Sequence, residues 1–398
     1  MEISRKVLIF TLDAGFGHRK AAKAIADALS YEYSNTIQCK VINPLKEDGM
    51  SAILQKSQKY YDESSRNHRS VYKTAYETIN YYPVSLFADQ VVTQLLIREV
   101  LEALIQEKPD GIISTFPIFN TPVRRVLELL HLHIPFYSVV TDLENVHRLW
   151  FHQGPDKYFV ASEQLKNQAI KIGVRHEKVF VSGIPVDIRI PCENRNQKTI
   201  RQKLGWLSDL PTVVAIGSKR VNGLYDKMIA VDECGLPIQS CVVTGGDDEL
   251  FKRLSTREWK NPTHCFNYME NVPELLMASD ILITKAGGLI TSEGLACGLP
   301  MLLIDSISGQ ETGNVNYILS KGAGILTETN QELQKNLQRL LINDQKILHI
   351  YAEKSRMAGK PDAAFMIAQM ISNDMQVNRN SDKNKWIWNT VQRLSEFT

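Results

Sequence analysis

Short apolar runs alternate with longer stretches in which apolar residues recur at helical spacing, and this alternation continues through most of the chain. The apolar runs lie at residues 7–12, 37–42, 111–115, 136–140, 158–160, 178–181, 212–217, 241–244, 263–266, 280–284 and 301–304. Near-continuous apolar strands separated by helices are typical of parallel sheets that are covered on both faces. The pattern therefore predicts an α/β protein built from doubly wound sheets.

The length of 398 residues favours two domains, because single hydrophobic cores rarely grow that large. A polar stretch at 191–198, PCENRNQK, separates two sets of strands and is the predicted linker. We expect an N-terminal domain over 1–190 and a second domain over 199–358. The remainder, 359–398, is predicted to form a helix that returns to the N-terminal domain, then a polar spacer and an amphipathic tail.

Composition narrows the class of protein. A formal net charge of only +2 gives no global basic field, so no nucleic-acid partner is expected. The six cysteines show no paired metal-ligand spacing, which predicts a reduced, cytoplasmic chain without a metal site. No stretch approaches the roughly 20 apolar residues that span a bilayer, and the first apolar run, 7–12, is too short for a signal-peptide core.

The segment 283–316 carries the clearest functional pattern, which predicts a strand, a paired-glycine turn, a helix, a second strand and a polar loop. The helix after Gly287 and Gly288 offers unpaired backbone N–H groups and a positive dipole end, which suit a phosphate. The later loop, with Gln310 and Glu311, offers amide and carboxylate groups that suit a hydroxyl-rich ligand. Phosphate and sugar together predict a nucleotide-sugar site.

A second glycine-containing turn follows the first predicted strand. Gly15 and Gly17 permit a tight turn, and an alanine-rich helix begins near His18. The backbone N–H groups of this turn suit an anion, and His18 would be available as a general base. Two interpretations stay open, because glycines in such turns often serve backbone geometry and histidines near helix starts are commonly structural.

Two aromatic segments admit two interpretations each. Residues 55–87 hold six of the fourteen tyrosines, interleaved with lysines and arginines, which suits the surface of an anionic membrane or a tyrosine-rich helical face packed on the domain. Near the C-terminus, Trp388, Val391, Leu394 and Phe397 recur every three residues. That stretch fits an interfacial helix or a helix docked on a neighbouring domain.

Together these segments resemble the glycolipid synthases of glycosyltransferase family 28, the monogalactosyldiacylglycerol synthases and processive diacylglycerol glucosyltransferases. The resemblance rests on DAGFGHRKAA, PDGIISTFP, VVTDLENVHRLWFHQGPDKYFVAS, ITKAGG…GLP…GQETGNV and KPDAAFMIAQMI, which span most of the chain. The GQE-x-GN loop looks more like the galactolipid synthases than the related peptidoglycan N-acetylglucosaminyltransferase, and it argues against a nucleotide-sugar epimerase.

The resemblance implies a GT-B fold, in which two Rossmann-like domains face a central cleft. It also implies an inverting transfer without metal or cofactor, from UDP-glucose or UDP-galactose as substrate to diacylglycerol or its monoglycosyl form. Such an enzyme would be peripheral on the inner face of the cell membrane and would contact its anionic surface. Alternatives are a polyprenyl-linked or soluble acceptor, or a non-catalytic nucleotide-sugar-binding module.

The resemblance also implies roles for residues of the second domain. Glu293 is similar to the carboxylate that takes the donor ribose hydroxyls, although an acid there also suits the helix dipole. The donor hexose would be held by Gln310, Glu311 and Asn314. The diphosphate would face the helix start, formed by Gly287, Gly288 and Leu289.

The chain departs from the family pattern at two loops. After the first strand of the second domain, a glycine cluster is expected, but the sequence has Gly217, Ser218, Lys219 and Arg220. Two interpretations stay open: the basic side chains replace backbone contacts to the phosphates, or this site binds its donor in a different way. In the first loop, Phe16 stands between Gly15 and Gly17, where a further glycine is common. The bulk of this side chain is expected to reshape the acceptor loop.

Two residues of the first domain are implied in catalysis. His18 matches the histidine that the family uses to deprotonate or position the acceptor hydroxyl. Asp142, in VVTDL, would orient His18 or the acceptor, or would simply cap the end of its strand.

Overall fold

The computed structural model describes residues 5–13, 16–45, 78–152, 154–192, 196–306, 311–377, 384 and 387–388. These residues divide into two compact units. The first extends to Ile188 and also takes the residues from Asp362 onward, and the second runs from Arg189 to Pro361. The predicted linker, 191–198, overlaps two short helices in this second part of the chain.

The strands are β1 (Arg5–Phe10), β2 (Ile37–Ile42), β3 (Gly111–Ser114), β4 (Phe136–Val139), β5 (Lys157–Val160), β6 (Val179–Val181), β7 (Thr212–Ile216), β8 (Gln239–Val243), β9 (Thr263–Phe266), β10 (Ile281–Lys285), β11 (Met301–Asp305) and β12 (Gly324–Leu326). The helices are α1 (Phe16–Tyr33), α2 (Tyr82–Glu107), α3 (Asn120–Leu129), α4 (Glu163–Ile172), α5 (Arg189–Cys192), α6 (Gln197–Lys203), α7 (Leu224–Asp232), α8 (Asp248–Ser255), α9 (Val272–Met277), α10 (Gly288–Cys297), α11 (Thr312–Ser320), α12 (Asn330–Leu341), α13 (Lys346–Ala358) and α14 (Ala363–Val377).

The first unit is a parallel six-stranded sheet in the order β2-β1-β3-β4-β5-β6. Alternate residues of β1 enter different cores: Val7 packs with α1 and α14, whereas Leu8 packs with α2 and α3. Because the strands of this sheet are buried on both faces, they appear in the sequence as continuous apolar runs. The strand order reverses between β1 and β3. Open α/β sheets bind ligands at the carboxyl ends of the strands at such a point.

The second unit is also a parallel six-stranded sheet, in the order β12-β11-β10-β7-β8-β9. Its strand order reverses between β7 and β10, so the ligand-binding crevice of this unit is expected at the carboxyl ends of those two strands. Helix α10 packs tightly on the sheet: a Cβ atom added at Gly294 would lie 2.7 Å from Leu282 Cδ2. The prediction of two doubly wound α/β sheets is confirmed.

Two local predictions differ from the structure. The strand β12 was not predicted, because its three residues begin with glycine and form no apolar run. The polar loop after β11 was predicted to continue to the end of the segment at residue 316, but α11 already begins at Thr312. Helix formation there buries Asn314, Val315 and Ile318 on one face, and this burial outweighs the low helix propensity of the polar residues.

The aromatic segments are only partly described. Residues 55–77 lie outside the described residues, while Tyr81, Tyr82 and Phe87 are exposed by 66%, 52% and 68%. Near the C-terminus, Trp388 is buried in the core formed with α2 and α3. For this residue, the structure favours docking on the protein over an interfacial position. The positions 391, 394 and 397 lie outside the described residues. Within the described part of the chain, no helix is both long and apolar enough to cross a bilayer.

Candidate active site

The start of α10 has the geometry of an anion-binding helix end. Gly287 is its N-cap residue, and no side chain caps this end. The hydroxyls of Thr291 and Ser292 donate to the carbonyl oxygens of Gly287 and Gly288, at 2.7 and 2.8 Å. The N–H groups of the first turn have no acceptor within the helix, and the dipole adds partial positive charge there. Leu289 and Glu293 are both buried in this helix.

Two of the three predicted hexose-binding residues lie beside this helix start. Glu311 forms an ion pair with Lys285, the last residue of β10. A Cβ atom added at Gly287 would lie 3.7 Å from Glu311 Oε1. The side-chain amide of Asn314 donates to the carbonyl of Ala286 at 2.9 Å. The structure thus brings Glu311 and Asn314 together with the predicted diphosphate site. Gln310 lies outside the described residues.

The loop after β7 forms a tight turn next to the carboxyl end of β10. The N–H of Val221 donates to Ser218 O at 2.9 Å, and the N–H of Arg220 lies 3.3 Å from Ser218 Oγ. Lys219 at the tip is exposed. Asp305, at the end of β11, accepts from the N–H of Asn222 at 3.3 Å. Sequence reasoning missed this aspartate, since its partner lies 83 residues away.

A second turn, at Gly245 and Gly246, supports the loop after β7, and the sequence analysis did not identify it. Gly245 follows β8 with a φ of +67°, and a Cβ atom there would lie 2.6 Å from Gly217 O and 2.8 Å from Ser218 Cα. The two turns therefore pack backbone against backbone. The available signal was the pair Gly245–Gly246, directly after an apolar strand and before Asp247, which caps α8.

The Gly245→Ala variant is expected to lose about 2–4 kcal/mol of unfolding free energy, because it combines a left-handed backbone with a steric clash. Gly246 is the matched control: its φ is +85°, but a Cβ atom there would meet nothing within 4 Å. The Gly246→Ala variant should lose only about 1–2 kcal/mol. Urea unfolding monitored by circular dichroism measures both values. Equal losses would contradict the packing of the two turns.

In the first unit, His18 lies where the strand order reverses. Its Nδ1 atom is 3.1 Å from the carbonyl oxygen of Thr115 and 2.7 Å from the hydroxyl of Thr141. The Thr115 hydroxyl also lies 3.2 Å from His18 O. The imidazole packs edge-on against Phe116, with ring centroids 4.7 Å apart, and its centroid is 6.4 Å from that of Trp150.

These contacts favour one tautomer of His18. A carbonyl oxygen only accepts, so the contact to Thr115 requires a proton on Nδ1, and the hydroxyl oxygen of Thr141 can share it. The lone pair is then on Nε2, the atom that a general base would use. The sequence analysis gave Asp142 as a residue that orients His18 or the acceptor, or that caps the end of its strand. In the structure, its neighbour Thr141 makes the contact with the His18 ring. The role of Asp142 stays a prediction.

The predicted acceptor loop is described only in part. Gly15 lies outside the described residues, and Phe16 begins the backbone of α1. Gly17 is the second residue of that helix. Across this loop, Arg19 of α1 donates to both carboxylate oxygens of Asp13, at 2.8 and 2.9 Å, so the segment after β1 is tied to the first turn of α1.

His147 makes the stability of this region pH-dependent. Burial, with a smaller contribution from the charge of His152, lowers its pKa to about 4. Its Nδ1 atom accepts from the N–H of Leu149 at 3.2 Å, a bond that needs the neutral ring, and its carbonyl accepts from the N–H of Trp150. His147 therefore holds the turn that carries Trp150 toward His18.

Because the folded pKa of His147 lies below the ordinary value of 6.5, the unfolded chain takes up the proton first as pH falls. Above pH 6.5 the neutral ring makes its full contribution to the free energy of unfolding. As the pH falls from 6.5 to 4, this free energy decreases by up to about 3 kcal/mol. In His147→Gln, the slope of unfolding free energy against pH should flatten in this window. Urea unfolding at several pH values measures it, and an unchanged slope would contradict the assignment.

Solved structures of other proteins share this architecture. S. aureus MnaA, in its UDP co-structure, matches with a TM-score of 0.60 at 13% identity and covers 94% of this chain and 98% of its own. MurG of Acinetobacter baumannii matches with a TM-score of 0.57 at 13% identity, covering 93% and 99%. The fold is therefore that of the GT-B glycosyltransferases and related epimerases.

The family follows from sequence comparison. The family model of monogalactosyldiacylglycerol (MGDG) synthase matches residues 18–186, and that of the glycosyltransferase family 28 C-terminal domain matches 213–369. Monogalactosyldiacylglycerol synthase 3 of Arabidopsis thaliana is 28% identical over 377 residues, which cover 92% of this chain and 81% of the relative. The chain belongs to the glycolipid synthases of glycosyltransferase family 28, and it is an enzyme of the glycosyltransferase class.

Proposed function

We propose that this glycosyltransferase moves a hexose from UDP-glucose or UDP-galactose to diacylglycerol or its monoglycosyl form. The observation that carries the proposal is the match of the MGDG synthase model to residues 18–186, because this match spans His18 and most of the first unit. The lipid acceptor is assigned to that unit on this basis. The UDP-sugar is assigned to the second unit, which carries the anion-binding start of α10.

Acceptor activation is assigned to His18. The acceptor hydroxyl donates to Nε2, and its oxygen attacks the anomeric carbon opposite the diphosphate. The bond from that carbon to UDP breaks, the electron pair leaves with the diphosphate, and the proton stays on the imidazole. A single displacement of this kind inverts the anomeric configuration.

Donor binding is assigned to four groups of the second unit. The N–H groups at the start of α10 stabilise the charge that develops on the leaving diphosphate, a role that requires no metal. The basic loop at 217–220 adds positive charge. Glu293 takes the ribose hydroxyls. The hexose is held by Glu311 and Asn314, together with Gln310.

The acceptor is a lipid, so we also propose that the enzyme works at the cytoplasmic surface of the inner membrane. The exposed rings of Tyr81, Tyr82 and Phe87, at the start of α2, support contact with the headgroup layer of an anionic membrane.

Thr141 is expected to act as a positioning residue for His18. The Thr141→Val variant keeps the shape of the side chain but removes the hydroxyl at 2.7 Å from Nδ1, so turnover should fall about tenfold with little change in the KM for donor. Thr141→Ser keeps the hydroxyl and should keep most activity. Nitrogen NMR of the imidazole should show a smaller Nδ1–H population in the valine variant. Unaltered turnover and tautomer ratio would remove this role.

UDP release in the presence of a chelator tests the proposed function. Purified enzyme receives UDP-glucose or UDP-galactose, and diacylglycerol vesicles, polyprenyl phosphate or soluble sugars are then added in parallel. Release that depends on the diacylglycerol vesicles is expected. Release with only the polyprenyl or soluble acceptors would contradict the assignment of diacylglycerol as the acceptor. Tight UDP-sugar binding without release from any acceptor would indicate a non-catalytic binding module.

A further inference from the structure

We propose that Lys285 is a positioning residue whose charge neutralises Glu311, so that a carboxylate can lie beside the diphosphate-binding start of α10. This inference rests on the proposed function, because it presumes a nucleoside diphosphate at that helix end. It assigns a role to a residue that the sequence analysis did not single out.

The ion pair is mostly buried. The Lys285 and Glu311 side chains retain 15% and 6% of their exposure, and Nζ donates to Oε1. Glu311 is the N-cap residue of α11, but its side chain makes no capping hydrogen bond there. The carboxylate is therefore directed toward the end of β10 rather than toward its own helix.

The position of Glu311 poses an electrostatic problem for a phosphate ligand. Its Oε1 atom lies 3.7 Å from where a Cβ atom added at Gly287, the N-cap residue of α10, would stand. A diphosphate at the same helix end would lie near this carboxylate, and like charges at short range in a partly buried site repel strongly. A bare carboxylate would also compete with the phosphate for the positive end of the helix.

The ammonium group of Lys285 resolves this conflict. As a close partner inside a mostly buried pair, it cancels the carboxylate charge that a diphosphate would otherwise meet. The turn that carries it is held independently of any ligand: Asn314 donates to Ala286 O at 2.9 Å, and the Ala286 N–H donates to Asp305 O at 3.0 Å. The pair thus keeps Glu311 in place for a sugar hydroxyl without excluding the diphosphate.

Calorimetric binding of UDP to four variants tests the proposal, with uridine as the uncharged ligand. In Lys285→Met, loss of the ammonium charge beside the Glu311 carboxylate should weaken UDP binding about tenfold or more and leave uridine binding unchanged. In Lys285→Met/Glu311→Gln, UDP affinity should return to within about twofold of the wild type, because the repulsion is gone. Glu311→Gln alone should bind UDP as tightly as the wild type or tighter. Lys335→Met, on the exposed face of α12, is the matched charge control and should change nothing.

The outcomes separate the alternatives. A loss of UDP affinity in Lys285→Met that persists in the double variant would show that Lys285 binds the phosphates directly, which overturns the neutralising role. Unchanged binding in Lys285→Met would also overturn it and leave the proposed function intact. If Lys285→Met does not fold, weakened UDP binding in Glu311→Gln alone is sufficient to overturn it. Failure of the wild type to bind UDP would contradict both the inference and the proposed function.

Discussion

Turnover of the His18→Ala variant is expected to fall by about 10²–10⁴-fold, the usual contribution of a general base. The imidazole is the only group assigned to take the acceptor proton, and Thr115 and Thr141 hold it through Nδ1, with Nε2 left as the base. Initial rates of hexose transfer with saturating donor measure the effect. Because the donor is assigned to the second unit, the affinity for UDP should stay within about twofold of the wild type.

A second histidine provides the control for this experiment. His176 is exposed in the same unit, and His176→Ala should retain wild-type turnover. Thermal unfolding of both variants checks that each remains folded. A folded His18→Ala enzyme with wild-type turnover would contradict the assigned base. Loss of UDP affinity together with turnover would indicate that His18 has a structural role.

The Glu293→Ala variant is expected to bind UDP about 10–100-fold more weakly, since a charged acceptor of two ribose hydroxyls is lost from a buried position. The test compares UDP with 2′-deoxy-UDP. The wild type should prefer UDP, and the variant should bind the two ligands with similar affinity.

The alternative role of Glu293 predicts a different result. The structure places Glu293 at the sixth residue of α10, beyond the first turn, where the helix dipole has little effect. If the buried carboxylate has only a structural role there, Glu293→Ala should lower the unfolding temperature and keep the preference for UDP. The isosteric variant Glu293→Gln retains the volume of the side chain and separates the loss of charge from the loss of packing. A retained preference for UDP in both variants would contradict the ribose assignment.

The doubly wound architecture was predictable because each strand is buried on both faces, which leaves a visible apolar run. In β1, Val7 and Leu8 enter different cores, so neither position tolerates a polar residue. The strand β12 left no such signal, since its last residue, Leu326, is 36% exposed at the edge of the sheet. Edge strands need fewer apolar residues, and short ones escape pattern analysis.

The candidate site was predictable where its chemistry is local in sequence. Gly287 and Gly288 stand directly between a strand and a helix, and this order alone predicted the phosphate-binding end of α10. Contacts between distant residues were not accessible in the same way. Thr141 contacts His18 across 123 positions, and Lys285 pairs with Glu311 across 26. Only the arrangement of the strands brings these side chains together.

The packing of Gly245 against the turn after β7 illustrates the same limit. The loop at 217–220 looked poor in glycine for a phosphate site when read as a single segment. In the structure, Gly245 lies in the turn after the neighbouring strand and packs closely against the backbone of Gly217 and Ser218. A glycine cluster that is split between two turns cannot be recognised from either turn alone.

Separation of labelled lipid products tests the central claim most directly. The enzyme is incubated with diacylglycerol vesicles and with either radiolabelled UDP-glucose or radiolabelled UDP-galactose, and the lipids are extracted and resolved. We predict a labelled monohexosyl lipid from at least one donor, and no such product from His18→Ala. The absence of labelled lipid from both donors with the wild-type enzyme would contradict the proposed function.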